Sequence, residues 1–565
     1  MEHDGRTTPA SPFRLGGLTG DHPPATEGTF SFWTAVCFTL NYIMGKLLHW
    51  FVCMGWRSAR SNPWPLSLDA HSYSVAFTNT ITAPHTGTGF LTLPFATAKA
   101  GALLGLLALA IMTLLANTAK DYVLEASARA ELLDHPSAYP ELGLQLSTAA
   151  GGVGQGNGNG MSRQESSQNL PLMLVSKGVR YEMPVLCRKF LGPWGRLAYM
   201  LCLSIYIYGA LLAYTSVFAK SCASTFPIPG VGDSYAVYLA LFALIVVPLS
   251  CLELTEQVAI QVVLAGCRIL LVVLMVGTVG AAYGSKAEAF PGQSGEKRES
   301  NFFPHANAHP NSALSSTPPR PTPPTHKNKT GPVGIPLWDV GGLYVFLPIA
   351  CYAFIYHHSI AGLSHPVRDK TLLGSIFLTT FLICAVAYGA IAVLVASYFG
   401  PDMAQSSNLE WQDYGAGNGF KRALAFYILL FPALDVASAF PLNAITLGNN
   451  MIAMRDKKKP AAGGRRLVVA FRLLAAVPPI IAGFFVRELG KISEWCGTVG
   501  VIITLVFPAI LNLKSRQVLK EVFALDSAKT YYSNELSRKR YGPVNLVVGV
   551  ALFVYIMVNL AMGKE

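Results

Sequence analysis

The sequence predicts an all-α polytopic membrane protein, and three observations carry that expectation. Of its 565 residues, 52% are hydrophobic and only 13% charged, with a mean hydropathy of +0.40, whereas a soluble chain is about a quarter charged. Apolar segments recur near 101–123, 195–219, 235–252, 256–283, 339–360, 371–399, 421–447, 467–486, 490–513 and 543–562, each suited to the ~20 residues that cross a bilayer. A further, interrupted segment begins at Phe30 and brings the expected count to eleven transmembrane helices.

Charge sets their orientation. The net charge of +12 gathers in short loops, RDKKKPAAGGRR at 455–466, KSRQVLKE at 514–521 and SRKRY at 537–541. Lys and Arg hold such loops in the cytosol, and eleven spans with a cytosolic N-terminus put all three there. The same parity places the acidic segment PDMAQSSNLEWQDYG, 401–415, outside. No nucleic-acid motif accompanies the basic runs, so lipid bilayer and not nucleic acid is the expected partner. Residues 1–29 read as a disordered cytosolic tail without a signal-peptide pattern.

Two long insertions are too rich in Gly or Pro to pack. One is a partly disordered cytosolic loop at 125–190, with GGVGQGNGNG at 151–160; the other is a Pro-rich disordered extracytosolic loop at 284–337. The second carries a glycosylation sequon at Asn328 on the side where it can be used. Ten cysteines are scattered without a CxxC pair and read as small buried apolar residues, so no metal site and no cofactor are expected.

The interrupted segment poses the main question. FTLNYIMGKLLHW at 38–50 stops short at Gly45 and Lys46, and TGFLTLPFATAKAG at 88–101 is a half-helix without a beginning. Joining Gly45 to Thr88 gives one span of 27 residues from Phe32 to Ala100, with a Gly-x-Gly at its middle made by Gly45, Thr88 and Gly89. Glycine there lets the helix break and brings bare backbone N–H groups to a ligand such as a carboxylate; close helix packing is the competing use. Residues 46–87 are then an insertion that splits the first helix. They read as a retained intron or as a genuine extracellular hairpin behind a span from Phe30 to Trp56.

Ionisable groups at membrane depth are functional candidates because lipid penalises charge. Asp435, in LLFPALDVASAFPLN, is suited to hold a substrate ammonium, to carry a coupling proton, or to pair with Arg268 of the fifth span. His357 and His358 interrupt the sixth span and titrate near neutrality in water. Ser438 and Asn443 add oxygens beside Asp435, and Glu253 and Glu256 mark a span junction.

The chain resembles the amino acid/auxin permease family. Asn41, Ile43, Met44, Gly45, Gly89, Leu91 and Pro94 match its first-helix pattern across the join, AFIYHHSI (353–360) with VRDK (367–370) fits its sixth helix, and LLFP (429–432) its eighth. The resemblance implies a leucine-transporter-like fold of two inverted five-helix repeats plus one extra helix, with helices one and six broken at a midplane site. The expected substrate contacts are Gly45, Thr88, Gly89, Phe354, Tyr356 and His357, and the expected ion-coupling residues are Asp435 and Ser438 together with Asn41, which the resemblance implies for a cation site. The expected function is secondary active transport of amino acids, proton-coupled, with sodium coupling at Asn41 or amino-acid sensing without net transport as alternatives. No enzyme is expected: His365 and Asp369 lie too close together for an HxxxxD acyltransferase motif. The expected location is the plasma membrane or a vacuolar or endosomal membrane.

Overall fold

The computed structural model describes residues 88–139, 173–252, 257–284, 290, 334–365, 367, 369–415, 418–455, 465–523, 529–533 and 541–562. Asn41, Gly45, the insertion at 46–87, Glu253, Glu256 and Asn328 lie outside the described residues.

Nearly everything described is helix. The helices are α1 (Gly89–Ala100), α2 (Ala102–Asp134), α3 (Met183–Thr225), α4 (Ser234–Cys251) and α5 (Gln257–Gly284). A second run holds α6 (Leu343–Phe354) with α7 (Ile360–Ser364), then α8 (Leu373–Phe399), α9 (Gly419–Arg455), α10 (Arg465–Phe485) and α11 (Leu489–Val501), which continues through a π turn into α12 (Phe507–Phe523). Helix α13 (Tyr541–Ala561) closes the chain. Among the described residues, nine helical stretches are long and apolar enough to cross a membrane; α5 and the half-helix α1 complete eleven passages. The chain is an integral, multi-pass membrane protein.

Local chemistry places the breaks and turns. Gly101 joins α1 to α2 at φ 90, and a Cβ there would stand 2.8 Å from the backbone of Pro336 and Leu337, so only glycine turns this corner. Asp339 starts the sixth passage, its Oδ1 accepting from the Gly341 N–H at 2.8 Å. Helix α3 kinks at Gly192 and Pro193, where Gly192 has φ 75.

The two runs have opposite sense. At one end Gly342 lies against the backbone of Lys99 and Ala100, and at the other Gly89 lies against Ala353. Helices α1 and α6 are therefore antiparallel half-helices, each opening a run of five passages, which is the inverted-repeat arrangement with α13 added. Burial sorts the spans. Protein covers 72% of the apolar stretch in 340–364 and in 489–523 but 17% in Tyr541–Ala561, so the former form the interior and α13 faces lipid.

Two expected boundaries need correction. Helix α2 runs on to Asp134 and helix α3 starts at Met183, so the loop expected at 125–190 is helix over 125–134 and 183–190, while 175–182 is loop. Charge made the helix end look early, yet Glu125, Arg129 and Glu131 are buried and satisfied by residues far along the chain. The tenth passage likewise extends past 513 to Phe523. A short parallel strand pair, Met173–Leu174 (β1) with Lys529–Thr530 (β2), ties these two ends together.

Candidate functional site

The candidate site is the place where α1 begins and α6 stops. Helix α1 starts at Gly89, with Thr88 before it, and the Leu91 N–H bonds to Thr88 O at 3.1 Å. An α-helix leaves the N–H groups of its first turn without intrahelical acceptors, here those of Gly89 and Phe90. Helix α6 ends at Phe354; Ile355 and Tyr356 leave helical geometry, and a 3₁₀ turn, His357–Ser359, leads into α7. The last carbonyls of α6 are thus released at the depth where α1 offers N–H groups. A Cβ on Gly89 would lie 2.9 Å from Ala353 Cα, so the two helix ends touch.

Side chains around this contact come from several helices. The Thr88 hydroxyl lies 2.9 Å from the Tyr352 hydroxyl. Tyr206 of α3 packs edge-on to Tyr352, ring centroids 6.1 Å apart, and lies 6.2 Å from the His358 ring. Phe354, Tyr356 and His357 are fully buried. Phe354 and Tyr356 both lean on Phe381 of α8, at 5.8 and 5.1 Å between centroids. His357 Nε2 donates to the Ala116 carbonyl at 2.9 Å, because a carbonyl can only accept. That bond fixes the tautomer and leaves Nδ1 an acceptor with no hydrogen-bond partner among the described residues.

The sequence-predicted residues therefore fall into three groups. Thr88, Gly89, Phe354, Tyr356 and His357 come together at or beside the break. Asp435 and Ser438 sit apart from it on α9, where Arg268 holds the carboxylate, Nε donating to Oδ2 at 2.6 Å and Nη2 in ion-pair contact with Oδ1. Ser438 donates to the Asp435 carbonyl at 2.8 Å. Asn41 and Gly45 lie outside the described residues. Tyr214 of α3 ties this second cluster toward the core through Asn443, Nδ2 to the Tyr214 hydroxyl at 3.4 Å.

Polar contacts close both ends of the bundle. At the end that carries 405–412, Trp411 donates to Thr278 Oγ1 at 2.9 Å, Gln412 to Ser224 O at 2.9 Å, and the Gly490 N–H to Gln405 Oε1 at 2.9 Å. At the opposite end, Glu125 is a hub that accepts from Arg129 at 2.5 Å, Arg516 at 2.9 Å, Asn512 at 3.2 Å and Ser533 at 2.9 Å. The sequence reading missed this hub. The four-residue spacing of Glu125 and Arg129 on one helix face was its only local signal. Among the described residues no group of three His, Cys, Asp or Glu is placed to hold a metal.

No family model matches the chain. It is similar along most of its length to Transmembrane protein 104. The human protein is 21% identical over 518 residues, covering 85% of this chain and 94% of that one. The Drosophila melanogaster homolog is 22% identical over 487 residues, covering 77% and 87%. A Dictyostelium discoideum homolog is 24% identical over 212 residues, which is 34% of this chain and 42% of that protein. These relatives correct the expectation of an amino acid/auxin permease. The quoted first-helix match existed only across the join over 46–87, and its surviving half, GFLTLP, is a short apolar pattern that Gly89 uses for contact with Ala353. Solved structures that align with the chain include a manganese transporter from Eremococcus coleocola, at 11% identity, TM-score 0.43 and coverage of 89% and 91%. A Na+-coupled sialic acid symporter aligns at 10% identity, TM-score 0.40 and coverage of 94% and 98%.

Proposed function

We propose that the chain is a secondary active transporter of amino acids that works by alternating access around the break between α1 and α6. One observation carries this reading: the N-terminal end of one half-helix and the C-terminal end of another meet at the Gly89–Ala353 contact. A helix N-terminus bears partial positive charge and a C-terminus partial negative charge. A small zwitterion suits both at once, its carboxylate on the N–H groups of Gly89 and Phe90 and its ammonium on the carbonyls that end α6. His357 Nδ1 adds a buried acceptor next to the break. Opposed half-helices at mid-membrane are also how transporters built from repeats hold their cargo. No covalent step enters the proposal. The bilayer is the plasma membrane or a vacuolar or endosomal membrane, with the N-terminus in the cytosol.

Coupling to protons follows from the second cluster. Asp435 is held by Arg268 inside the bundle, and protonating that carboxylate would release α5 from α9, giving a proton a mechanical consequence. The test is uptake by proteoliposomes holding the purified full chain. A labelled amino-acid panel is offered with no gradient, with a proton gradient and with a sodium gradient. Uptake of at least one amino acid that a protonophore abolishes is expected. Absence of both uptake and counterflow across the panel would overturn transport, and accumulation driven by sodium alone would overturn proton coupling.

A further inference from the structure

A cleft opens at the end of the bundle that the basic loops assign to the cytosol, between segment 176–181, the end of α7 and the start of α8. Its polar lining is set by Ser127, Arg180, Ser364, His365 and Lys370, with Tyr532 beside them, and no carboxylate lines it. Three basic side chains thus face one space.

Their charges are not cancelled within it. Lys370 Nζ donates to the Ser364 and His365 carbonyls at 2.8 and 2.7 Å, which fixes the ammonium at the C-terminal end of α7 without neutralising it. Arg180 donates one Nη2 bond to Glu182 at 2.7 Å, but Glu182 is 53% exposed and screened by water. Arg180 Nε is buried and has no hydrogen-bond partner among the described residues. The acids nearest the cleft are held by other hydrogen bonds, although the charge of Glu131 is felt at Lys370. Glu131 accepts from Ser176 Oγ at 2.8 Å and the Lys177 N–H at 2.9 Å. Asp134 is taken by Lys189 and the Tyr181 hydroxyl, at 2.5 and 2.7 Å, and Asp369 by Thr371 at 2.6 Å. His365 registers the resulting potential: burial first, then the charges of Lys370 and Arg180, push its pKa below the ordinary histidine value. Burial disfavours charge of either sign, but the part of the shift that comes from Lys370 and Arg180 marks a positive potential in the cleft.

We propose that this cleft binds a phosphate group, gripped by Arg180 and Lys370 with the hydroxyls of its rim as additional donors. Guanidinium and ammonium are the side chains suited to phosphate oxygens. The group arrives either on a phosphoinositide headgroup, since the cleft lies at the membrane surface, or on a soluble phosphate. Either would bridge segment 176–181 to α7, the short helix that follows the break, and so restrain the element next to the candidate site. The site stands independently of what the chain transports.

The test uses the purified full chain in nanodiscs of neutral lipid and two probes, inorganic phosphate and short-chain phosphatidylinositol 4-phosphate, with short-chain phosphatidylcholine as control. Saturable binding of at least one phosphate probe is expected, with a rise in unfolding temperature and none for the control. Binding of inorganic phosphate indicates a soluble source, and binding of the lipid probe alone indicates a headgroup; both support the site. Arg180→Gln should weaken binding at least tenfold, and Glu182→Gln, which removes the competing acid, should tighten it. Lys370→Gln should also weaken it, and if that variant unfolds because α7 loses its tie, the Arg180 and Glu182 variants decide. Failure of both probes to bind overturns the proposal. So does unchanged affinity in Arg180→Gln when its probe-free unfolding temperature matches the parent.

Discussion

Gly89 and Asp435 are the two residues whose replacement separates the uses that sequence alone left open. For Gly89, Ala353 Cα would lie 2.9 Å from any Cβ, and backbone of a facing helix cannot step aside cheaply. Gly89→Val should therefore cost about 1–3 kcal/mol through overpacking and abolish uptake by prising α1 from α6. Thermal unfolding and proteoliposome uptake measure the two effects, and normal uptake would remove Gly89 from the site. Asp435→Asn leaves Arg268 charged and buried, which costs about 3–5 kcal/mol where an ion pair is broken. We expect gradient-driven accumulation to be lost while labelled-for-unlabelled exchange persists, since exchange needs no proton release. Arg268→Gln added to Asp435→Asn should recover the unfolding temperature but not accumulation. Recovery of both would make the pair purely structural. The Asp435–Arg268 pairing was legible as one of three readings because both residues interrupt apolar runs. The partners of His357 were not, since Ala116 is 241 positions away and supplies only a carbonyl.

At the scale of elements, existence was legible and length was not. Hydropathy reveals a span because lipid demands apolar side chains, but it is blind where a helix leaves the bilayer and continues in protein. Helix α2 illustrates this: its last turns carry Glu125, Arg129 and Glu131, all buried, and their partners are on α12 and in segments 176–177 and 529–533. Glu125→Gln removes the charge that faces both Arg129 and Arg516. It should destabilise by about 3–5 kcal/mol and raise modification by aqueous thiol reagents of a cysteine placed at Ser127. Unchanged labelling would show that the hub does not close this end of the bundle. On the opposite rim, Asp233 starts α4 and Arg487 donates to its two oxygens at 3.2 and 2.8 Å, holding the carboxyl below the ordinary aspartate value of 3.8. A depressed carboxylate contributes stability that is fully present above pH 3.8 and lost as pH falls through the depressed folded value. Asp233→Asn should flatten the unfolding-temperature profile in that acid window alone. The change should be under about 1 kcal/mol, because the pair is exposed to solvent. A steeper acid loss in the variant would contradict the assignment.

At the scale of the whole molecule, the count of eleven passages followed from apolar runs and loop charge, both of which the bilayer enforces, whereas their opposed halves were expected from the family resemblance and the interruptions of the first and sixth spans. Cargo did not follow, because pocket shape depends on Tyr206, Tyr352 and Phe381 arriving from three different passages. A chain lacking residues 46–87 should insert and take up substrate at least as well as the full chain, since its first span then reads through from Phe32 to Ala100. Loss of uptake, with a transcript that always includes the segment, would make the segment a functional part of the protein.

The strand pair and the Glu125 hub also impose an order on biosynthesis. Ser533 lies 408 positions after the carboxylate it serves, and Met173 waits for Lys529. At roughly 5–20 residues per second of translation, Glu125 and Arg129 remain with only each other for company for roughly 20 to 80 s, while nine further helices, α3 to α11, emerge. This early-made end of α2 is thus finished late. A nascent chain that stops before Asn512 leaves the Glu125–Arg129 pair without Asn512, Ser515, Arg516 and Ser533, so the buried ion pair made first is the one whose cover is made last.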